Sequence, residues 1–311
     1  MIVTKKVKNE FSNMRLDKVA SIVFSEYSRT QIKKWIQEGR ILLNNELALP
    51  KEKVTEDDEI EINPINEQKV SWEPENIDFS VLHKNDDYII IDKKPNLVMH
   101  PGAGCKNGTL ANGLVHKFPE LKSLPRCGIV HRLDKNTSGV LLIARSEKFR
   151  TYFIDQMQLR NVKKKYLAIT KGNLIGSIKI NSSIGRDRKN RTKMCIRDDG
   201  KESLSFVKPL ESYGNYSYLE VLIKTGRTHQ IRVHLSSKKM PIIGDKTYNS
   251  SSAIAKNTPE ILTKIIRSFP RQALHAHELS FQIPSSEKFV TYKAPMHEDM
   301  SKLLKAIKKH T

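Results

Sequence analysis

The stretch NPINEQKVSWEPEN, residues 63–76, carries two prolines and no hydrophobic period, so no regular helix or strand is expected to run through it. It reads as a linker that splits the 311-residue chain into a part of 1–62 and a part of 77–311. The two sides differ in charge. Residues 1–62 hold eleven Lys+Arg and eleven Asp+Glu, so the whole formal charge of +20 falls on residues 63–311. A surplus of that size, placed on one side, points to a polyanionic partner.

Membranes and nucleic acids are both polyanions, but no apolar run approaches the length of a bilayer and MIVTKKVKNEF has no apolar leader region. A cytoplasmic protein without membrane contact is expected. Cys105, Cys127 and Cys195 are odd in number, far apart and without a CxxC pair, which speaks against a disulfide framework and a structural zinc site.

Within 1–62, Leu16, Val19, Ala20 and Val23 share one face of a helix predicted over 14–24. Ser28 stands where an N-cap would open a second helix, RTQIKKWIQEG, with Ile32, Trp35 and Ile36 at helical spacing and Gly39 as its stop. RILLNNELAL reads as strand, Asn-Asn turn and strand, and DDEIEIN as a closing strand. The charges balance in number but not in place. Arg15, Lys18, Arg29, Lys33, Lys34 and Arg40 gather on the helices, while Glu56 to Glu61 load the far turn. Residues 14 to about 62 resemble the alpha-L RNA-binding domain, which implies a small module that docks RNA by one face.

Beyond the linker, DYIIID, GVLLIAR, KKYLAIT and YSYLEVLIKT read as strands. Phe149, Phe153 and Met157 recur every four residues on a helix, and another helix is predicted from THQIRVHLSSKK with Thr228 as its cap. Long strands with few crossover helices predict an α+β fold with a largely antiparallel sheet.

Three polar clusters interrupt this pattern: HRLDKNTSG (131–139), Lys163-Lys164-Lys165-Tyr166, and TGRTHQIRVH (225–234). Each has an ordinary explanation. Asp134 could brace its own turn, and Tyr166 could be a plain strand aromatic. His229 and His234 lack the i,i+4 spacing of a helix-borne metal pair, and His131 with Asp134 lacks a third ligand. There is no G-x-S-x-G elbow, no P-loop and no G-x-G-x-x-G, so neither metal nor cofactor is expected. What remains is a carboxylate among arginines in a basic domain. An arginine beside Asp134 would preserve the negative charge a carboxylate nucleophile needs. An aromatic across the pocket would stack a base, and chemistry on a base in a helix requires flipping it out.

GIVHRLDKNTSGVLLIAR resembles the signature of the RluA-type pseudouridine synthases, and VLHKNDDYIIIDKKPNLVMHPGAG, NGTLANGL, RNVKKKYLAIT, KTGRTHQIRVHL, PIIGDKTY and RQALHAHELSF agree with that family in order. The resemblance covers about 77–298. It implies the pseudouridine synthase fold, a long mixed sheet with a central cleft, and an isomerase that converts uridine to pseudouridine without an energy source. It implies Asp134 as nucleophile, Tyr166 stacked on the uracil with a part in proton removal at C5 left open, and Arg232 bridging to Asp134. Arg132, Arg227, His131 and Lys164 would hold the RNA. Whether Asp134 attacks C1′ or C6, or assists glycal formation, stays open.

The chain departs from the family at Lys94 and Asn96, where Pro and Gly are usual, at Asn136 for Asp, and in FQIP, which lacks a His before Pro284. The implied partner is 23S ribosomal RNA or a large ribosomal subunit precursor, with the helix 69 loop as expected site, bound by a monomer. Another rRNA site or tRNA is the alternative substrate. A non-catalytic RNA-binding or ribosome-assembly protein and a metal-dependent RNA hydrolase are the competing readings.

Overall fold

The computed structural model describes every residue except 1, 26, 28, 65–71, 103–104, 250–253, 285 and 287. The chain divides into two units, residues 1–71 and 72–311.

In the first unit, β1 (Val3–Lys6), α1 (Leu16–Val23), α2 (Arg29–Gln37), β2 (Ile41–Leu43), β3 (Glu46–Leu47) and β4 (Glu59–Ile62) come in order. The sheet runs β1-β4-β2-β3, antiparallel throughout. Leu16, Val19 and Ala20 of α1 are fully buried with Ile32 and Trp35 of α2 and with Ile41 and Ile60 from the sheet, as their spacing predicts. Asn44 and Asn45 both take left-handed backbone (φ 52° and 65°), the conformation a two-residue hairpin turn needs. Gly39 (φ 69°) closes α2 in the same region of backbone space. Ser28 lies outside the described residues. Strand β1 is not readable from the sequence because all four of its side chains are exposed, so it has no alternation; only its backbone pairing with β4 defines it.

The second unit contains β5 (Ser80–Lys84), β6 (Tyr88–Lys93), α3 (Leu110–Lys117), β7 (Ser138–Ala144), α4 (Glu147–Gln158), β8 (Lys163–Lys171) and β9 (Ile178–Asn181). Then come the hairpin β10 (Ile184–Arg186) and β11 (Met194–Ile196), β12 (Leu204–Tyr213), β13 (Tyr216–Ile223), α5 (Gln230–Ser237), α6 (Glu260–Ser268), β14 (Leu274–Gln282), β15 (Phe289–Lys293) and α7 (Glu298–His310). The nine-stranded sheet runs β5-β6-β7-β14-β8-β13-β12-β9, with β15 on the other side of β14 along part of its length. This is the mixed, largely antiparallel α+β sheet expected. Among the described residues its one parallel pairing joins β7 to β14, through His275↔Ser138 and Ala276↔Gly139.

Strand β7 is buried at all seven positions, as a central strand covered on both faces must be. Gly139 (φ +113°) is required there, since a Cβ would sit 2.1 Å from the Ala276 carbonyl oxygen. Phe149 and Phe153 of α4 pack on Phe281 of β14, with ring centroids 6.1 and 5.3 Å away. At the start of the unit, the Trp72–Asn76 end of the predicted linker is tied down rather than free. Asn112 Nδ2 donates to the Glu73 carbonyl (2.8 Å), and the Glu75 carboxylate accepts the Gly108 N–H (2.9 Å). Its Pro-interrupted sequence has no period to reveal these side-chain anchors.

Candidate active site

The HRLD loop delivers its chain directly into β7, so its last turn is fixed by the most buried strand of the sheet. The Thr137 N–H closes the turn on the Asp134 carbonyl at 3.0 Å. Beneath it lies Lys93, the last residue of β6, with no exposed surface. Its ammonium donates to the carbonyls of Lys94, Lys135 and Thr137 at 2.9, 2.9 and 3.0 Å, which matches three donors to three acceptors. Burial pushes its pKa down to about 7 and the Arg271 charge adds to this, while Asp134 opposes it.

Arg271 is also buried. It donates to the Asn136 carbonyl at 3.1 Å and grips Asp299 of α7 through two bonds of 2.6 and 2.7 Å. Gln272 Nε2 reaches Thr137 Oγ1 at 3.2 Å. The turn therefore gives its carbonyls to buried cations and its Asp134 carboxylate to α5.

Arg232 of α5 donates from Nη1 to Asp134 Oδ2 at 3.0 Å. Its Nε and Nη2 bind Asp245 side-on at 2.7 and 2.9 Å, a two-point fork with both side chains buried. Burial works against the guanidinium charge, but Asp245 and Asp134 outweigh it and hold the proton more tightly than usual. Asp245 Oδ1 also accepts the N–H groups of Thr247 and Tyr248 at 2.9 and 3.2 Å. Helix α5 opens at His229 rather than at Thr228. His229 takes left-handed backbone (φ 56°), and Gln230, not a capping hydroxyl, turns back to accept the Arg227 N–H at 3.1 Å. His229 Nδ1 shares a 2.8 Å hydrogen bond with the Tyr248 hydroxyl, and its Nε2 lies 3.8 Å from Asp134 Oδ2. Burial lowers the His229 pKa, so the ring is neutral near pH 7.

Asp134, Tyr166, Arg132, Arg227 and Arg232 line one narrow cavity of about 60 Å³. That volume holds a few waters rather than a nucleobase. It adjoins a groove of about 870 Å³ that shares Arg132, Tyr166, Ile223, Gly226 and Arg227 with it. Tyr166 is buried on β8. Burial, and then the Asp134 charge, push its phenol pKa up, so the hydroxyl keeps its proton.

Arg132 is exposed, and Arg227 is half-buried with its Nε on the Glu202 carbonyl at 3.1 Å. Lys164 faces the groove, where burial and then Arg227 lower its pKa to about 8. His131 behaves differently from the other predicted RNA contacts. Its Nε2 accepts the Leu142 N–H of β7 at 2.9 Å and its ring lies on Phe153, while burial pushes its pKa down to about 3. It braces the loop as a neutral ring. His234 is a core histidine between Ser205 Oγ (2.9 Å) and the Ser182 carbonyl (3.0 Å).

Sequence reasoning passes over Lys93, Asp245, Tyr248 and Arg271. All four lie in or beside quoted segments (DKKPNLVMH, PIIGDKTY, RQALHAH), but their roles exist only in contacts between distant parts of the chain.

Residues 87–237 match the family described as RNA pseudouridylate synthase, and residues 14–60 match the S4 domain. The ribosomal large subunit pseudouridine synthase D of Xanthomonas campestris pv. campestris is 37% identical over 302 residues, which is 97% of this chain and 91% of that protein. The protein of the same name from Vibrio parahaemolyticus is 35% identical over 100% of this chain and 96% of its own. This chain belongs to the RNA pseudouridylate synthase family. The solved structures of human RNA pseudouridylate synthase domain containing 4 and 1 share the fold of this synthase. Their TM-scores are 0.59 and 0.54 at 22% and 23% identity, over 74% and 78% of this chain and 93% and 98% of theirs. As an isomerase of this family the protein converts uridine in RNA to pseudouridine, and its S4 domain is an RNA-binding module.

Proposed function

We propose that this pseudouridine synthase acts on large-subunit 23S ribosomal RNA, in the helix 69 loop, as a cytoplasmic monomer with the division of labour 1–62 for docking and 77–311 for isomerisation. Support for the substrate comes from relatives of nearly equal length that carry the large-subunit name, and from a charge of +20 confined to the catalytic side.

The observation that carries the site assignment is the chain Asp134–Arg232–Asp245. A carboxylate lines the small cavity beside the groove, oriented by an arginine that is itself locked from behind. In the reaction the N1–C1′ bond breaks, the base turns, and a C5–C1′ bond forms. C5 loses its proton and N1 gains one, so nothing is oxidised and no energy source is needed. Asp134 acts as the nucleophile at C1′ or C6, or assists glycal formation. Arg232 fixes its direction. Tyr166 is the stacking surface; its protonated hydroxyl favours that role over removal of the C5 proton. Arg132, Arg227 and Lys164 hold the displaced backbone, and His131 positions the loop.

The test is tritium release from 5-tritiated uridine in a 23S transcript and in large subunits. Wild type should release tritium, and Asp134→Asn should release none while still binding RNA. Loss of release when the helix 69 loop uridines are replaced by cytidine supports that site. Release that persists moves the target elsewhere. No release from either substrate overturns the proposal.

A further inference from the structure

The groove beside the Asp134 cavity is larger than one flipped base requires, and its far end is built from side chains that the isomerisation does not use. Trp72 and His100 meet there with ring centroids 5.7 Å apart at a 40° tilt. Arg126, Arg132, Arg160, Lys164, Lys224 and Arg227 line it, and no aspartate or glutamate does so among the described residues. Arg160 is forked onto Glu202 at 3.1 and 2.5 Å, yet the wall as a whole is strongly cationic, and such a wall suits a phosphodiester backbone. The aromatic end suits a base, because every base has a face that stacks.

His100 adds no positive charge of its own. Burial, then Arg126 and Arg132, push its pKa down to about 4. Both arginines line the same groove as the ring.

The backbone that carries Arg126 is unusual. Arg126 and Cys127 hold left-handed conformations (φ 55° and 50°) directly before Gly128 (φ 72°). Two successive non-glycine residues in that region are costly, and such strain tends to be retained where a side chain must be aimed. Here the buried Cys127 anchors the loop, and the exposed Arg126 side chain becomes part of the groove wall.

We propose that this groove is a second nucleotide subsite: it takes the single-stranded nucleotide adjoining the flipped uridine, with the base stacked on Trp72 and the phosphate held by Arg126 and Arg132. The subsite rests on the reading that the substrate is a folded RNA from which the uridine is extruded. Unstacking one base exposes its neighbour, and a platform that receives the neighbour offsets part of that cost. Groove volume favours this occupant, since about 870 Å³ falls in the range that encloses a nucleotide-sized ligand.

Trp72 also supplies the probe. The chain has two tryptophans, and Trp35 is fully buried in the first unit. Addition of a 23S transcript to the full-length protein should quench the Trp72 emission, and Trp72→Phe should abolish the quench. In tritium release, Trp72→Ala should raise KM roughly 10-fold with kcat within about twofold, the pattern of a contact made equally in ground and transition states. Trp72→Phe keeps an aromatic face and should restore most of the loss.

Quenching absent from wild type, a wild-type KM in Trp72→Ala, or a Phe variant as impaired as the Ala variant would each overturn the subsite. Should Trp72→Ala fail to fold, Arg126→Ala replaces it. That variant should weaken binding and lower the salt slope by about 1, and an unchanged slope overturns the proposal. Wild type that releases no tritium refutes the substrate assignment above, whereas the quench still decides the subsite.

Discussion

Arg232 is the residue on which the site turns, because it faces Asp134 on one side and Asp245 on the other. Asp245→Asn keeps the shape but removes one of the charges that compensate a buried guanidinium. Breaking a buried pair of this kind costs about 3 kcal/mol or more. The expected result is a kcat lower by roughly 100-fold with RNA binding little changed, because the loss falls on the orientation of Asp134. A variant with wild-type kcat would mean that Asp134 is aimed by the turn alone. Asp134, Tyr166 and Arg232 each stand in a polar cluster that has an ordinary explanation by itself, and only the resemblance to the RluA-type signature singles them out from the sequence. Asp245 is not singled out. It is a single carboxylate in a loop, thirteen residues from its partner, and nothing local distinguishes it from a solvated aspartate.

At the scale of elements, β6, the segment that leads into β14, and α7 together build the floor under the Asp134 turn. Lys93→Met would leave the Lys94, Lys135 and Thr137 carbonyls without their shared donor. Unsatisfied buried acceptors cost about 1–3 kcal/mol each before relaxation, so a net loss of about 3 kcal/mol in urea unfolding is expected, with kcat falling and KM held. Equal stability of the variant would show that water replaces the ammonium.

The α7 contact brings a pH dependence. Burial works to raise the Asp299 pKa, but Arg271 and then His297 outweigh it and hold it at about 2, below the 3.8 of an ordinary aspartate. The folded state thus keeps this charge to lower pH than the unfolded chain. Its stabilisation is present above 3.8 and is lost as pH falls toward 2. Asp299→Asn should therefore flatten the decline of the urea midpoint across that window, and an unaltered decline would assign it to other carboxylates. Elements with a periodic face are readable in advance, as α1, α2 and α4 illustrate, and so is the continuous apolar run of β7. The start of α5 is not, since a glutamine folding back on its own loop leaves no capping signature, and β1 is not, since exposed strands need no alternation.

For the whole molecule, the uneven distribution of charge is the most legible property, because it depends on composition alone. Its placement in three dimensions is not legible. In the first unit Arg15 and Arg29 both bind Asp17 at 3.0 Å, and Arg40 lies 3.7 Å from Glu38, so these expected RNA contacts are partly compensated by protein carboxylates. In the second unit six cations line one groove, and of these Arg160 is paired with Glu202. RNA affinity should accordingly fall steeply with salt, by about 1,000-fold or more between 50 and 200 mM if six or more phosphates are engaged. A filter-binding series that is nearly flat in salt would refute a backbone-dominated interface.

The parallel pairing of β7 with β14 also has a bearing on the birth of the protein. Asp134 leads into β7, yet its supports at Arg232, Asp245, Arg271 and Asp299 all lie later in the chain, the last of them on α7. Synthesis proceeds from the N-terminus, and domains fold as units once their parts are available. A nascent chain thus has its S4 domain early, whereas the contacts that hold the Asp134 turn are complete only once Asp299 has been made.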